Sequence, residues 1–145
     1  MPSMKILLIA GGWSSEREVS LTGARGMQEA LLKRGHAVTF FDLLENFDEL
    51  LETARQHDFA LINLHGSPGE DGLVQAMLEK AGCPYQGSGP SGSFLALNKA
   101  AAKQIFRMAG LPTADWEFLP VRPAEGWEPR LPWPLFVKTT TGGSS

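Results

Sequence analysis

The sequence predicts an α/β fold with a Rossmann-like parallel sheet. Three apolar runs of strand length alternate with three segments of helical periodicity over residues 4–81. Such alternation is typical of parallel strands joined by right-handed helical crossovers. Small-residue loops follow the first and third apolar runs, and ligands bind along the carboxyl edge of such sheets. The order of the elements therefore predicts a sheet with a binding site at one edge.

Apolar periodicity and helix-boundary residues place the individual elements. A near-continuous apolar run is typical of a buried parallel strand, whereas apolar residues three and four apart indicate a helix. Ser15 and Glu18 have capping-box spacing, so the first helix is expected to begin near Arg17. Gly35 and Gly82 are expected helix stops. The predicted elements are strands over residues 4–10, 37–42 and 59–64 and helices over residues 17–34, 48–56 and 71–81.

Helical spacing also predicts which side chains face the sheet. Apolar residues that recur every three or four positions form the buried stripe of an amphipathic helix. The expected inward residues are Met27, Ala30 and Leu31 on the first helix and Leu50, Leu51 and Ala54 on the second.

The second part of the chain is expected to begin a different domain. A boundary near Asn98 divides a first domain, residues 1–97, from a second region, residues 98–145. Segment 120–132 is rich in proline and tryptophan and is interpreted as a connector. The predicted elements are a helix over residues 94–109 and strands over residues 115–119 and 134–138. The last strand leads into a turn, and a domain rarely ends inside a hairpin, so the sequence is expected to be a fragment of a longer protein.

Composition and charge limit the function classes. The chain has 145 residues, of which 43% are hydrophobic and 20% are charged, as expected for a globular domain. A net charge of −3, with scattered basic residues, gives no basis for a nucleic-acid partner. Cys83 is the only cysteine, and no apolar run reaches the length of a membrane span or a signal-peptide core. A cytoplasmic protein without membrane contact is expected, and no His or Cys cluster predicts a metal site.

The loop after the first strand combines two glycines with acidic residues. Gly11 and Gly12 permit a tight turn, and a helix N-terminus behind them favours anions. The spacing departs from the dinucleotide fingerprint, because Trp13 and Glu16 occupy it. Two acids in the loop disfavour phosphate and suit an ammonium group. The alternative is that Glu16 and Glu18 only complement the helix dipole.

The segment over residues 65–72 is the strongest candidate for a binding site. It follows the third strand and brings one imidazole, His65, and two carboxylates, Glu70 and Asp71, onto a glycine-rich loop. A strand-terminal histidine projects into the cleft at the sheet edge. The alternative is a flexible loop whose Asp71 caps the following helix.

Two lysines are candidates for binding phosphate. Lys138 ends an apolar run, and its stem can pack on apolar residues while its ammonium group neutralises phosphate. Gly142, with Gly143, Ser144 and Ser145, could fold over the same phosphates. The spacing differs from that of a P-loop. Lys99, the second candidate, has the alternative of being a solvated helix residue.

Taken in order, these segments resemble the D-alanine–D-alanine ligases, a family of the ATP-grasp superfamily. The resemblance spans almost the whole chain, with family-like spacing. Departures are Gly142 before the Gly-Ser-Ser turn, Thr139 where proline is common, and Ser67-Pro68 in the histidine loop. The matching segments are Gly11-Gly12, Glu16-Arg17-Glu18-Val19-Ser20, His65-Gly66, Gly69-Glu70-Asp71-Gly72, Pro84-Tyr85, Gly87-Ser88-Gly89, Asn98-Lys99, Ala109-Gly110-Leu111-Pro112-Thr113, Lys138 and Gly143-Ser144-Ser145.

The resemblance implies a fold and a reaction. The fold is a Rossmann-like domain followed by the start of an ATP-grasp domain. The reaction joins two D-alanines for peptidoglycan synthesis: ATP phosphorylates the first carboxylate, and the amine of the second D-alanine attacks the acyl phosphate. Mg²⁺ or Mn²⁺ is implied, with its ligands beyond residue 145, and so is a homodimer formed through the first domain. The 145-residue chain alone is expected to be inactive.

The resemblance also implies roles for the amino-acid site. Glu16 would bind the ammonium group of the first D-alanine, which suits the acidic loop. Ser20 would support Glu16 within this substrate site. His65 would lie near the carboxyl group of the same substrate.

For ATP, the resemblance implies a second group of residues. Lys99 and Lys138 would bind the phosphates. Ser144 and Ser145 would close over the phosphates, and Ser144 would act with Glu16 as a catalytic residue by helping to position it.

Three alternatives remain open. Another ATP-grasp ligase, such as a D-alanine–D-lactate enzyme, would differ mainly in residues outside this chain. A non-catalytic flavodoxin-like binding module would form a complete fold at this length. A nicotinamide dehydrogenase lacks its glycine fingerprint, although Asp42 at the end of the second strand could bind a ribose.

Overall fold

Three parallel strands form the centre of the molecule. The computed structural model describes residues 2–142. Strands β1 (Lys5–Ala10), β2 (Ala37–Asp42) and β3 (Phe59–Asn63) pair in the order β2-β1-β3, with β1 in the middle. Tyr85 extends the sheet beside β3 by a single parallel bridge to Ala60. The predicted α/β class with a parallel sheet is confirmed.

Helices connect the strands and continue beyond them. A short 3-10 helix, Phe47–Glu49, lies between the second and third α-helices. The α-helices are α1 (Arg17–Lys33), α2 (Leu43–Asn46), α3 (Leu50–Ala54), α4 (Leu73–Ala81), α5 (Pro90–Leu97) and α6 (Lys99–Met108).

The middle strand separates two apolar layers. Leu7 and Ile9 are fully buried on the face that packs against α3 and α4. Leu8 is fully buried on the opposite face, where it contacts Ala24 of α1. Alternating side chains of a strand point to opposite faces, so β1 is covered by helices on both sides. This arrangement fixes β1 and the loop that follows it.

The first helix begins where the sequence predicts but is anchored differently. It starts at Arg17, one residue too late for a capping box, and Glu16 at the N-cap makes no side-chain capping bond. The prediction that Ser15 and Glu18 form a capping box is therefore wrong. The helix ends at Lys33, one residue before the predicted end, and Gly35 follows it with a φ of +84°.

Small residues, not large apolar ones, form the buried face of α1. Ser20 and Ala24 are fully buried, whereas Met27 and Ala30 are exposed and Leu31 is half-buried. The predicted inward face was therefore wrong at Met27 and Ala30. Small side chains allow the helix backbone to approach the sheet closely, and this close approach replaces packing by larger apolar side chains.

The other predicted elements of the sheet half need smaller corrections. The predicted helix over residues 48–56 is divided into the 3-10 helix and α3, where Leu50 and Ala54 are buried as expected and Leu51 is half-buried. Strand β3 ends one residue early. Helix α4 begins two residues late, at Leu73, whose N–H donates to the Asp71 carboxylate at 3.0 Å. The N-cap of α4 is Gly72 and not Asp71, so the prediction that Asp71 is the N-cap is wrong by one residue; Asp71 precedes the cap and accepts the bond from the first helical N–H.

The predicted helix over residues 94–109 is broken at Asn98. Asn98 has extended backbone, and its side chain accepts a hydrogen bond from Ala101 N at 3.0 Å, which starts α6 as a separate helix. The strands predicted over residues 115–119 and 134–138 do not form. They find no neighbouring strand within residues 2–142, and Phe136 and Val137 are 92% exposed. No helix in the described part of the chain is long and apolar enough to span a membrane.

Candidate substrate and nucleotide site

The carboxyl ends of all three strands meet at one edge of the sheet. Ala10 at the end of β1 pairs in register with Asp42 at the end of β2 and with Asn63 at the end of β3. The loops that follow β1 and β3 therefore leave the sheet side by side. We call them the glutamate loop, residues 11–16, and the histidine loop, residues 64–72.

The two loops pack against each other through glycines. Gly66 has a φ of +64°, and a Cβ placed on it would lie 3.5 Å from the Ser14 Cβ and 4.0 Å from a carboxylate oxygen of Glu16. A Cβ on Gly12 would lie 3.3 Å from Leu64. The structure therefore places the Glu16 carboxylate beside the residue that follows His65.

Ser20 joins the glutamate loop to the end of β3. The N–H of Gly11 donates to Ser20 Oγ at 2.8 Å, and Ser20 Oγ donates to the backbone carbonyl of Asn63. Asn63 Nδ2 donates back to the carbonyl of Ser20 at 2.7 Å. Ser20 is fully buried and lies one helical turn after Glu16, to whose carbonyl its N–H donates at 3.1 Å. Ser20 is thus hydrogen-bonded to the backbone on both sides, and these bonds support the loop that carries Glu16.

The histidine loop is closed by its own hydrogen bonds. Gly66 N donates to Glu70 Oε2 at 2.9 Å, and Glu70 N donates to the Gly66 carbonyl at 2.7 Å. Gln75 of α4 donates through Nε2 to the Gly69 carbonyl at 2.6 Å. These bonds hold His65, which is half-buried, at the end of β3. The closed loop differs from the flexible one considered as the alternative.

Arg17 and Asp42 form an ion pair directly behind the glutamate loop. Arg17 Nη1 and Nη2 donate to Asp42 Oδ1 and Oδ2, each at 2.7 Å, and the two side chains are 24% and 14% exposed. The hydrogen bond from Arg17 holds the pKa of Asp42 below its ordinary value. Both carboxylate oxygens of Asp42 are engaged, which weakens the dehydrogenase alternative in which it binds a ribose.

Sequence reasoning did not identify this pair. The signal was present, because Asp42 ends a strand at the site edge and Arg17 directly follows the candidate Glu16. Only the sheet register brings the two residues together, since they are 25 positions apart.

Lys99 lies at the start of α6 and contacts the glycine-rich segment near residue 142. Its Nζ donates to the Gly142 carbonyl at 2.7 Å, and its backbone N–H donates to the Thr140 carbonyl at 2.9 Å. Lys99 is half-buried, so it is not the solvated residue considered as the alternative. Lys138 is exposed. Ser144 and Ser145 lie outside the described residues.

A cavity joins the lysine to the histidine loop. It has a volume of about 460 Å³, and Glu70, Gln75 and Lys99 contribute to its lining together with Gly142. Gln75 is 6% exposed, and its Oε1 has no hydrogen-bond partner within residues 2–142. In the same range, no group of three or more His, Cys, Asp or Glu side chains could hold a metal ion.

The chain is similar to known proteins over almost its whole length. A relative from Desulfovibrio desulfuricans, named D-alanine–D-alanine ligase, is 77% identical over 142 residues, which are 98% of this chain and 46% of the relative. A relative of the same name from Nitratidesulfovibrio vulgaris is 70% identical and is covered to 47%. The chain thus spans somewhat less than half the length of these relatives. No family model matches the chain.

Solved structures show the same likeness. The crystal structure of D-alanine–D-alanine ligase from Bacillus anthracis complexed with ATP aligns with a TM-score of 0.75 and 38% identity. The alignment covers 86% of this chain and 43% of that one. Over nearly its whole length, the chain therefore matches the N-terminal part of proteins named D-alanine–D-alanine ligase.

Proposed function

We propose that the full-length protein joins two D-alanines to D-alanyl-D-alanine at the expense of ATP. The carboxylate of the first D-alanine attacks the terminal phosphorus of ATP and forms an acyl phosphate, and ADP leaves. The amine of the second D-alanine attacks the acyl carbon, loses a proton and expels phosphate. The observation that carries the proposal is the apposition of the Glu16 and His65 loops, in a chain 77% identical to a protein of that name.

Glu16 is proposed to bind the ammonium group of the first D-alanine. Its carboxylate lies beside Gly66 at the carboxyl edge of the sheet, and Arg17, the cation next to it in sequence, is paired with Asp42. Within residues 2–142 Glu16 forms no ion pair, and a carboxylate without such a partner is suited to an ammonium group. His65, held by the closed loop, is proposed to lie near the carboxyl group of the same substrate. Ser20 belongs to this substrate site as the support of Glu16.

Lys99 and Lys138 are proposed to bind the phosphates of ATP. Preorganised positive charge is the main requirement for phosphoryl transfer. Support comes from the contact of Lys99 Nζ with Gly142, directly before the glycine-serine segment. The phosphates would take the place of that carbonyl, and Ser144 and Ser145 would close over them, with Ser144 also helping to position Glu16. The ATP complex of the Bacillus anthracis ligase supports ATP as the nucleotide.

The remaining parts of the proposal concern the whole protein. Mg²⁺ or Mn²⁺ would neutralise phosphate charge through ligands beyond residue 145. The domain division at Asn98 is supported by the break between α5 and α6. The dipeptide would serve peptidoglycan synthesis in the cytoplasm, and the protein would form a homodimer through its first domain. The 145-residue chain alone would not catalyse ligation, because it spans less than half the length of the ligases that it resembles.

A second candidate differs in the second substrate. A D-Ala:D-Ser ligase from Enterococcus faecalis aligns with a TM-score of 0.62 and 25% identity, so this architecture also occurs with another acceptor. The groups of this chain that are proposed to bind substrate address the first D-alanine. D-Serine and D-lactate therefore need to be tested as acceptors beside D-alanine.

The test is ATP-dependent phosphate release by the full-length protein. D-Alanine alone should support release, whereas L-alanine should not, and Glu16→Ala and Lys138→Ala should lower kcat/KM by about 100-fold or more. Glu52→Gln is the matched control, because Glu52 lies in an exposed ion pair with Arg55. Release that requires D-serine or D-lactate besides D-alanine would favour the second candidate. Release independent of D-alanine would refute the proposal.

A further inference from the structure

We propose that the Arg17–Asp42 ion pair is a positioning device for Glu16. The pair fixes the start of α1 to the end of β2 and thereby sets where the Glu16 carboxylate meets the substrate ammonium group. Since their charged groups bond to each other, the two residues would act through Glu16 and not by contact with substrate. The inference rests on the proposed function, because it concerns the same amino-acid site.

The geometry of the pair suits it for positioning. Two parallel hydrogen bonds of 2.7 Å join a planar guanidinium to a carboxylate, and this fork fixes orientation as well as distance. Both side chains are mostly buried. The exposed Arg55–Glu52 pair, by contrast, has one contact of 3.0 Å and side chains that are 48% and 69% exposed. Such exposed pairs contribute little to structure.

Glu16 needs an anchor of this kind. It occupies the N-cap of α1 without a side-chain capping bond, so its own side chain does not fix the start of the helix, and two bonds of 3.2 Å to Ser14 hold the backbone there. Arg17 is the first residue of that helix, and its Nη1 also lies 3.4 Å from the Gly12 carbonyl. The guanidinium therefore joins both ends of the glutamate loop to the sheet.

The anchor point itself is rigid. Asp42 pairs with Ala10 in the register of the sheet. Its Oδ1 also accepts from Leu44 N at 3.1 Å, and its carbonyl accepts from Asn46 Nδ2 at 3.1 Å. A Cβ on Gly11 would collide with the Arg17 guanidinium and the Asp42 carboxylate, so the loop backbone lies directly against the pair. A movement of the pair would move the loop.

The pair also controls charge. Arg17 follows Glu16 in sequence, yet within the described residues it forms its ion pair with Asp42. Asp42 thus neutralises the cation that would otherwise compete with the substrate ammonium group for Glu16. Glu18 and Glu45, which also act electrostatically on Arg17, have the same sign as Asp42. Removing the charge of Asp42 is therefore expected to weaken D-alanine binding by both position and charge.

The experiment measures steady-state kinetics of the full-length protein with Arg17→Gln, Asp42→Asn and the double variant. We expect each single variant to raise KM for D-alanine about tenfold, while KM for ATP and kcat change less than about threefold. The double variant should be no more than about twofold worse than the worse single one, because both singles break the same pair. Arg17→Lys, which keeps the charge but loses the fork, should fall between wild type and Arg17→Gln.

Two results would overturn the inference. One is a lower melting temperature of Asp42→Asn with an unchanged KM for D-alanine, as a merely structural pair would give. The other is an equal rise of KM for ATP and for D-alanine. In both cases the activity of the wild type still depends on D-alanine, so the proposed function stands while the inference fails. A wild type without D-alanine dependence would refute the proposed function, and the inference with it. Glu52→Gln should match wild type throughout.

Discussion

The sheet half of the molecule, residues 5–83, and the half that follows it differ in how they are held together. All fully buried apolar side chains of the described chain lie between Ile6 and Cys83, on both faces of the sheet. After Asn98, helix α6 is followed by chain without regular secondary structure, in which Phe136 and Val137 are 92% exposed. Strand β1 has a partner on each side, whereas the predicted strands of the second half have none within residues 2–142. An apolar run becomes a strand only when another strand pairs with it.

The largest expected effect tests the difference in packing. Leu8→Ala removes a fully buried side chain between β1 and α1 and should lower the free energy of unfolding of the 145-residue chain by about 3 kcal/mol. Phe136→Ala should change it by less than about 0.5 kcal/mol, since its side chain is exposed. Urea unfolding followed by circular dichroism measures both. Equal losses would show that the second half is packed as tightly as the sheet.

The next largest effect on stability is expected from loss of the buried hydrogen bond between Gly11 N–H and Ser20 Oγ. Ser20→Ala leaves the Gly11 N–H without its acceptor behind the glutamate loop and should cost about 2 kcal/mol. Ser93→Ala is the control, because its hydroxyl makes a single exposed bond of 3.3 Å to the Ser88 carbonyl. Amide hydrogen exchange at Gly11 should rise in the first variant only. Unchanged protection at Gly11 would contradict the role assigned to Ser20.

The ion pair should make the sheet half sensitive to acid. The pKa of Asp42 is lowered in the folded state, mainly by its hydrogen bond with Arg17, so the bond stabilises the fold above the ordinary carboxyl pKa of 3.8. This contribution, about 1 kcal/mol for a hydrogen-bonded pair whose side chains are mostly buried, is lost as the pH falls through the depressed pKa. The difference in unfolding free energy between wild type and Asp42→Asn should therefore shrink below pH 3.8. A difference that grows on acidification would contradict this.

The smallest expected effect tests the contacts that attach the chain after α6 to that helix. Trp116 lies under two cations, with Arg107 4.4 Å and Lys103 5.3 Å from the ring centre. These contacts attach this part of the chain to α6, so Trp116→Leu should cost about 0.5 kcal/mol. Faster limited proteolysis after residue 110 in the variant than in wild type would show that this segment has been loosened. A loss as large as that of Leu8→Ala would remove the contrast between the halves.

Much of the sheet half could be predicted from the sequence. Strands of near-continuous apolar residues and glycine stops at Gly35 and Gly82 depend on local chemistry and are found where expected. The buried face of α1 could not be read this way, because close approach through Ser20 and Ala24 depends on the sheet surface opposite. The prediction of strands after residue 110 was wrong, because a strand forms only beside a partner strand and the apolar pattern of a segment does not show whether it has one.

The loops of the candidate site could be predicted from the sequence, but the hydrogen bonds and the ion pair that hold these loops could not. Glu16 and His65 lie near glycines that follow apolar runs, and this local pattern makes them candidates for a binding site. The bonds that hold them join residues far apart in sequence, as Ser20 to Asn63 and Arg17 to Asp42. Such pairs follow from strand register, which a single sequence does not contain.

We propose that the full-length protein makes a dipeptide at the edge of the sheet where the glutamate and histidine loops meet. The most direct measurement is mass spectrometry of the product formed from D-alanine and ATP by wild type and Glu16→Gln, with Glu52→Gln as control. We expect D-alanyl-D-alanine from wild type and control, and a reduction of about 100-fold in Glu16→Gln. Phosphate release without dipeptide, or an unimpaired Glu16→Gln variant, would contradict this proposal.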